Sequence, residues 1–251
     1  MLLGVVGTLA AAAVLGGSLP QGGEPFPMNP ADFTTTIDNR WWPMVPGMRY
    51  RYRETDREGA AQAVVVTVTN ETKRIASGIT ARVVRDTVTE DGKIIEDTFD
   101  WYAQDKRGNV WYLGEDTAEF DNGRLTTRAG SCEAGADGAL AGVVMPARPR
   151  DGQTYRQEYY KGHAEDRGEV LSTDEMAQTP YGRFKRAVLT KDTTPLEPNV
   201  LEYKLYAPGI GPVLTLDVSG AAGREELIAY GKAPARWVER AGTASLGQGP
   251  T

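Results

Sequence analysis

Two Trp-Tyr pairs and six carboxylates are concentrated in residues 96–117, EDTFDWYAQDKRGNVWYLGEDT. Trp101 and Tyr102 precede the polar turn 105–109, Trp111 and Tyr112 follow it, and Glu96, Asp97, Asp100, Glu115 and Asp116 flank them. Amphipathic rings beside carboxylates suit a cleft for a polar ligand or a cation. Clustered carboxylates can also ligate a hard cation or work as an acid/base pair. On that chemistry Asp97, Asp100, Glu115 and Asp116 are the candidate carboxylate cluster, for calcium or for hydrolysis, with Glu133, Glu158, Glu165 and Asp166 as further carboxylates. Strand alternation puts Asp97, Phe99 and Trp101 on one face and Glu96, Thr98, Asp100 and Tyr102 on the other. On the return arm Trp111, Leu113 and Glu115 alternate with Tyr112, Gly114 and Asp116, so each face carries a carboxylate and a large ring. The plain alternative is solvated charge on one face and core aromatics on the other.

Nucleophilic and metal chemistry have little to draw on. Cys132 and His163 are the single cysteine and the single histidine, so a thiol–imidazole dyad or a serine triad would have to recruit His163. No Gly-x-Ser-x-Gly elbow accompanies it. One cysteine and one histidine also leave zinc and copper sites of ordinary type without ligands, and no metal centre is assigned. His163 lies in the charged, Gly-containing turn 161–166 and reads as an exposed loop residue. Phosphate-binding loops, dinucleotide fingerprints and EF-hand loops are missing, so no cofactor is expected beyond the calcium alternative.

The elements that must position these residues are strands. Tyr50 and Tyr52 alternate with Arg49, Arg51 and Arg53, the period of a half-buried strand. Residues 63–69 and 80–89 are rich in β-branched side chains, and the turn 90–93 leads into the aromatic hairpin. Further strand patterns occupy 154–160, 169–172, 184–193, 201–207, 212–218 and 225–230, with a Gly, Ala and Pro-rich excursion at 131–151. Ten to twelve short strands at this spacing, about what a β-sandwich or barrel uses, predict an all-β antiparallel domain, barrel-like or sandwich. The expected organisation is a signal or anchor at 1–22, an extended Pro-rich arm at 23–46, the β-rich domain at 47–232 and a disordered tail at 233–251.

Residues 1–23 carry no charge, and 2–19 form a run of Leu, Val, Ala, Gly, Thr and Ser. That run reads as an export signal lacking its basic n-region, with an uncleaved anchor as the alternative. Membrane contact is expected only through this segment if it is retained. No cysteine stands near it for lipid attachment. The net charge of −6 offers no basic surface to a phosphate backbone, which argues against nucleic acid. With one cysteine there is no internal disulfide, so the core must carry stability.

The stretches PGMRYRY, VTEDGKIIEDTFDWYAQDKRGNVWYLGEDT, TYRQEYYKGHAEDRGEVLS and TPLEPNVLEYKLYAPGIGPVL resemble a family of exported, actinobacterial-type bacterial proteins of unassigned function. The similarity spans most of residues 40–230 and implies an exported β-rich domain. It also implies a Trp in the family's GSWEAG segment where this chain has Cys132, which makes Cys132 a packing position. Segment 206–212, YAPGIGP, is similar to the Gly-x-Gly turn of exported β-domains that wrap a sheet around a groove. The resulting expectation is an extracytoplasmic, secreted or envelope-associated binding protein rather than an enzyme. Its concave β-surface would be lined by Trp101, Trp111, Tyr112, Tyr159 and Tyr160, and its partner would be a small polar or amphipathic ligand or an envelope component. A secreted carboxylate-dependent hydrolase is the alternative, and a spacer between envelope components a third reading.

Overall fold

The computed structural model describes residues 18–55, 59–218 and 223–248. Most of the leader therefore lies outside the described residues. A 3-10 turn at Pro30–Asp32 precedes β1 (Phe33–Thr34), and the wall starts with β2 (Met48–Thr55), β3 (Ala61–Arg74), β4 (Thr80–Glu90), β5 (Lys93–Asp105) and β6 (Val110–Asp121). Short pieces follow: β7 (Arg124–Thr127), β8 (Cys132–Glu133), β9 (Leu140–Met145), β10 (Thr154–Arg156) and β11 (Glu158–Tyr159). The chain finishes with β12 (Arg167–Thr179), β13 (Gly182–Thr193), β14 (Leu201–Ala207), β15 (Gly211–Asp217), β16 (Arg224–Lys232) and one helix, α1 (Ala235–Ala241).

The all-β expectation holds, and of its two forms the barrel is the one adopted. Thirteen strands run in the order β10-β12-β13-β14-β15-β16-β2-β3-β4-β5-β6-β9-β11, every neighbour antiparallel, in a nearly closed barrel. The two ends of that order, β10 and β11, are separated in the chain by Gln157 alone. One crossing segment thus joins the two edges. At this seam the buried Arg156 guanidinium donates through Nε and Nη2 to the Ala141 carbonyl of β9, at 3.1 and 2.8 Å. Its Nη1 donates to the carbonyls of Gly22 and Glu24, at 2.7 and 2.8 Å. Gly142 of β9 leaves room for the crossing chain, since a Cβ there would lie 2.2 Å from the Gln157 carbonyl oxygen.

Alternation then sorts side chains between lumen and exterior. Tyr50 and Tyr52 of β2 are buried while Arg51 and Arg53 are exposed, as period 2 demands. The exterior is itself partly covered. The N-terminal arm lays Phe26 and Phe33 on Trp111, with ring centroids at 5.5 and 5.8 Å. Residues 18–24 run beside β10, where the Pro20 carbonyl accepts the Arg156 N–H at 2.8 Å. Residues 18–22, grouped with the leader on sequence, are therefore packed against the barrel in this structure.

Two further expectations are revised. The excursion 131–151 contributes β8 and the wall strand β9, hidden in the sequence because Ala141 and Gly142 are small where the crossing chain must pass. The tail expected to be disordered forms α1 and docks up to Gln248. Its anchor is a buried ion pair on the outer face: Arg85 Nε and Nη2 bind the Asp97 carboxylate at 2.8 and 2.5 Å. The remaining Arg85 donors reach the carbonyls of Ala241, Ala244 and Ser245, and Asp97 accepts the Gly247 N–H at 2.8 Å. Small polar residues suffice for the end of this tail because its backbone meets Arg85 and Asp97, while α1 adds the buried Val238 and Ala241 and the Trp237 ring under Arg49.

Removing one partner of a buried, hydrogen-bonded pair strands the other charge, at a cost of about 3–5 kcal/mol. Asp97→Ala should lose that much in urea unfolding, while the double change Arg85→Met with Asp97→Leu should lose far less. A loss below about 1 kcal/mol for Asp97→Ala, the exposed-pair range, would show that the pair is solvated.

Candidate functional site

The barrel encloses a cavity of about 520 Å³, open to solvent at part of its boundary. That size falls within the span of small-molecule sites, roughly 300–1,000 Å³. One wall is a continuous row of rings. Tyr112 meets Tyr102 at 5.4 Å, Tyr102 meets Trp42 at 5.6 Å, and Trp42 meets Tyr206 at 5.5 Å between centroids. Trp42 comes from the arm, whose strand-like pairing of Ile37 with Met44 turns it into the lumen. Tyr50 and Tyr52 complete the aromatic lining and donate their hydroxyls to the carbonyls of Ile210 and Pro212, at 2.7 and 3.0 Å.

Six carboxylates share this lumen: Asp86, Asp100, Glu115, Glu158, Asp166 and Glu225. The one cation among the lining residues is Lys204, and it already pairs with Asp192 at 3.0 Å and Glu202 at 3.1 Å. Asp100 of β5 and Glu115 of β6 stand directly opposite each other in the ladder, and Glu115 accepts the Tyr112 hydroxyl at 2.6 Å. Asp86 Oδ1 is buried with no hydrogen-bond partner. The Tyr102 side chain is 9% exposed and lines the cavity. Burial first, and neighbouring carboxylates second, push the Asp86 and Asp100 carboxyls well above the usual range. Burial likewise raises Glu115 and Asp166, and lifts Glu158 and Glu225 to about 7 each. The lumen is therefore lined by acids whose protonated form is favoured by burial.

The hairpin residues singled out on sequence divide between the two sides of the wall. Tyr112, Asp100 and Glu115 line the lumen. Trp101 lies on the outer face, 5% exposed, with the Lys73 ammonium 3.2 Å from its ring centroid. Trp111 is 2% exposed under Phe26 and Phe33, and its indole N–H is donated to Asp105 at 2.9 Å. Tyr159 packs against Gly23 of the arm, and Tyr160 stacks on His163 at 4.4 Å, so neither reaches the cavity. Asp97 is consumed by Arg85, and Asp116 pairs with Arg128 at the surface. Those two carboxylates leave the cluster, and among the described residues no group of three or more His, Cys, Asp and Glu is placed to hold a metal ion.

Simple alternation misassigned Glu115. Gly114 sits at φ +113° in a bulge, so Tyr112 opposes Tyr102 and Glu115 opposes Asp100 with one extra residue on β6. A Cβ at Gly114 would fall 2.2 Å from the Cys132 carbonyl oxygen, so β8 can cross only over glycine. The bulge moves Glu115 from the Trp111 face to the Tyr112 face. Asp86, Glu225, Lys204 and Tyr206 were passed over on sequence. Their signal was a carboxylate inside the valine alternation Val84, Asp86, Val88, and the polar alternation Glu202, Lys204, Tyr206.

Cys132 donates its thiol to Glu158 at 2.6 Å, and burial together with Glu158 pushes the thiol pKa far up. It is held as a thiol, which is the wrong form for a nucleophile. His163 is exposed and engaged with Tyr160.

Glu158 and Glu225 give the unliganded protein a defined pH response. A carboxyl whose folded pKa exceeds its unfolded one favours folding fully below the unfolded value, and that advantage is lost as pH rises through the folded value. Acidification from pH 8 to pH 5 should therefore raise the melting temperature, through a window bounded by about 4.5 and about 7 for these groups. Each group carries on the order of 3 kcal/mol at 1.36 kcal/mol per pKa unit. Glu158→Gln with Glu225→Gln should flatten the profile, and an unchanged slope by scanning calorimetry would contradict the assignment.

No protein-family model matches the chain, and no curated protein matches it. Two solved structures are similar in backbone. One is the crystal structure of a "putative exported protein with YmcC-like fold" from Bacteroides fragilis NCTC 9343, with TM-score 0.45 and 18% identity, covering 76% of this chain and 99% of that one. The other is a "putative lipoprotein" from Parabacteroides distasonis ATCC 8503, with TM-score 0.42 and 12% identity, covering 77% of this chain and 99% of that one.

Proposed function

We propose that this protein is an exported β-barrel that binds a small amphipathic organic molecule in its lumen. The observation that carries the reading is the cavity of about 520 Å³ with an unbroken aromatic wall and convergent polar groups. A core that existed only for stability would fill such a space, because interiors pack close and voids cost contacts. Rings that stack on one another along a wall offer apolar area to a ligand, and the carboxyls beside them fix its polar end.

Catalysis is the weaker reading. Glycoside hydrolysis needs two carboxyls in opposite protonation states, one raised acid and one ionised base or nucleophile. Here Asp100 and Glu115, the facing pair, are both raised, and burial does it to each. Burial drives the two in the same direction instead of setting one as acid and the other as ionised base. Export is supported by the uncharged apolar run at 2–19.

Nile red, a neutral amphipathic dye, tests the lumen. Its fluorescence should rise on addition of the protein, and Val66→Trp with Val84→Trp, which obstruct the cavity from two wall strands, should abolish the rise with the β-type circular dichroism spectrum intact. Undiminished dye binding by the obstructed variant would refute the reading. The exported form is tested by its intact mass outside the cytoplasm. It should begin no later than Leu19, because Pro20, Gly22 and Glu24 supply carbonyls to Arg156. Full-length protein confined to the cytoplasm would contradict export.

A further inference from the structure

Resting on the reading of the lumen as a binding cavity, we propose that its ligand is cationic: a primary or secondary ammonium on an apolar body, held between Asp100 and Glu115 with the row of rings as its wall. Charge bookkeeping is the first support. Six carboxylates line the cavity against Lys204, whose ammonium is already shared by Asp192 and Glu202. No side chain of the lining remains to neutralise them.

The second support is hydrogen bonding. The buried Asp86 Oδ1, on a carboxylate that lines the cavity, has no hydrogen-bond partner. Buried polar atoms are almost always partnered, so groups left open toward a cavity mark where a ligand's donors and acceptors belong. An N–H-bearing cation satisfies a carboxylate oxygen directly, and its charge is welcomed by the faces of Tyr102, Tyr112 and Trp42.

Other ligand chemistries fit less well. Calcium needs six to eight oxygens at about 2.3–2.6 Å, whereas the described carboxylates form no group able to hold an ion, and an aromatic wall gives it nothing. An anion would meet six acids. A neutral glycoside could hydrogen-bond the protonated acids but would leave their desolvation unrelieved. An ammonium favours the ionised form of carboxyls that burial raises, Glu158 and Glu225 to about 7 among them, so binding near pH 7 expels protons.

Isothermal titration calorimetry with four probes decides the matter: octylammonium chloride, octyl glucoside, sodium octanoate and calcium chloride. Octylammonium should bind, and its heat should differ between two buffers of unlike ionisation enthalpy in the sense of proton release. Asp100→Asn, nearly isosteric and free of a buried charge, should weaken it at least tenfold, and Glu115→Gln should act in the same direction. Both variants should melt no lower than the parent. Equal or tighter binding of octyl glucoside or octanoate, binding of calcium alone, or octylammonium affinity indifferent to both variants would each overturn the cationic assignment. If octylammonium fails while Nile red still occupies the lumen, only this inference falls. Loss of both would remove the binding reading as well.

Discussion

Closure of the sheet at Gln157 is the constraint on which the rest of the molecule depends. β10 and β11 stand at opposite ends of the strand order yet are consecutive in the chain, so one residue carries the backbone from one edge to the other. A sheet brought round until its end strands are joined by one residue leaves little free edge to pair with another chain. Arg156 secures the seam with a side chain instead of a ladder, binding Ala141 in the wall and Gly22 and Glu24 in the arm. Without that closure Asp100 and Glu225 would belong to an open surface, and there would be no lumen for them to face.

Closure also gives one kind of side chain two physical roles. Asp97 and Asp100 are three residues apart on the same strand. Outside, Asp97 is paired with Arg85 and sealed by backbone groups of the tail, so its burial is compensated. Inside, Asp100 faces Glu115 across the ladder with no cation beside it, so burial pushes its carboxyl toward the protonated form. Paired charge outside orders the tail, and unpaired charge inside waits for a partner.

Unpaired acids in a cavity lower the stability of the unliganded fold at neutral pH, since desolvation opposes their ionisation. Valines at the same inward positions would pack better, as Val66, Val68 and Val84 do around them. Local departures from a self-consistent core of this kind concentrate where a protein binds or reacts. The surrounding barrel, with its covered seam and docked tail, supplies the stability that makes them tolerable.

Much of this architecture was legible in residue order. Period-2 runs such as Arg49 to Arg53 and the β-branched stretch at 80–89 determine strands, because alternation separates a wet face from a dry one wherever the chain is extended. The turn 105–109 was equally local: Asp105 accepts from Arg107, Asn109 and Trp111 within six residues of itself. The carboxylates and rings of the hairpin were recognised as functional material for the same reason. Their allocation was decided elsewhere. Glu115 changed faces because β8 crosses at Gly114, Trp111 was taken by Phe26 and Phe33, and the tail was ordered by Arg85. Asp86, Glu158 and Glu225 lie on β4, β11 and β16, and no spacing along the chain announces that they share a cavity. The sequence by itself determined which residues extend and which side chains alternate, since both are set by neighbours one or two positions away. Which face became the lumen was decided only by strand order and closure, because those depend on pairings between segments far apart in the chain.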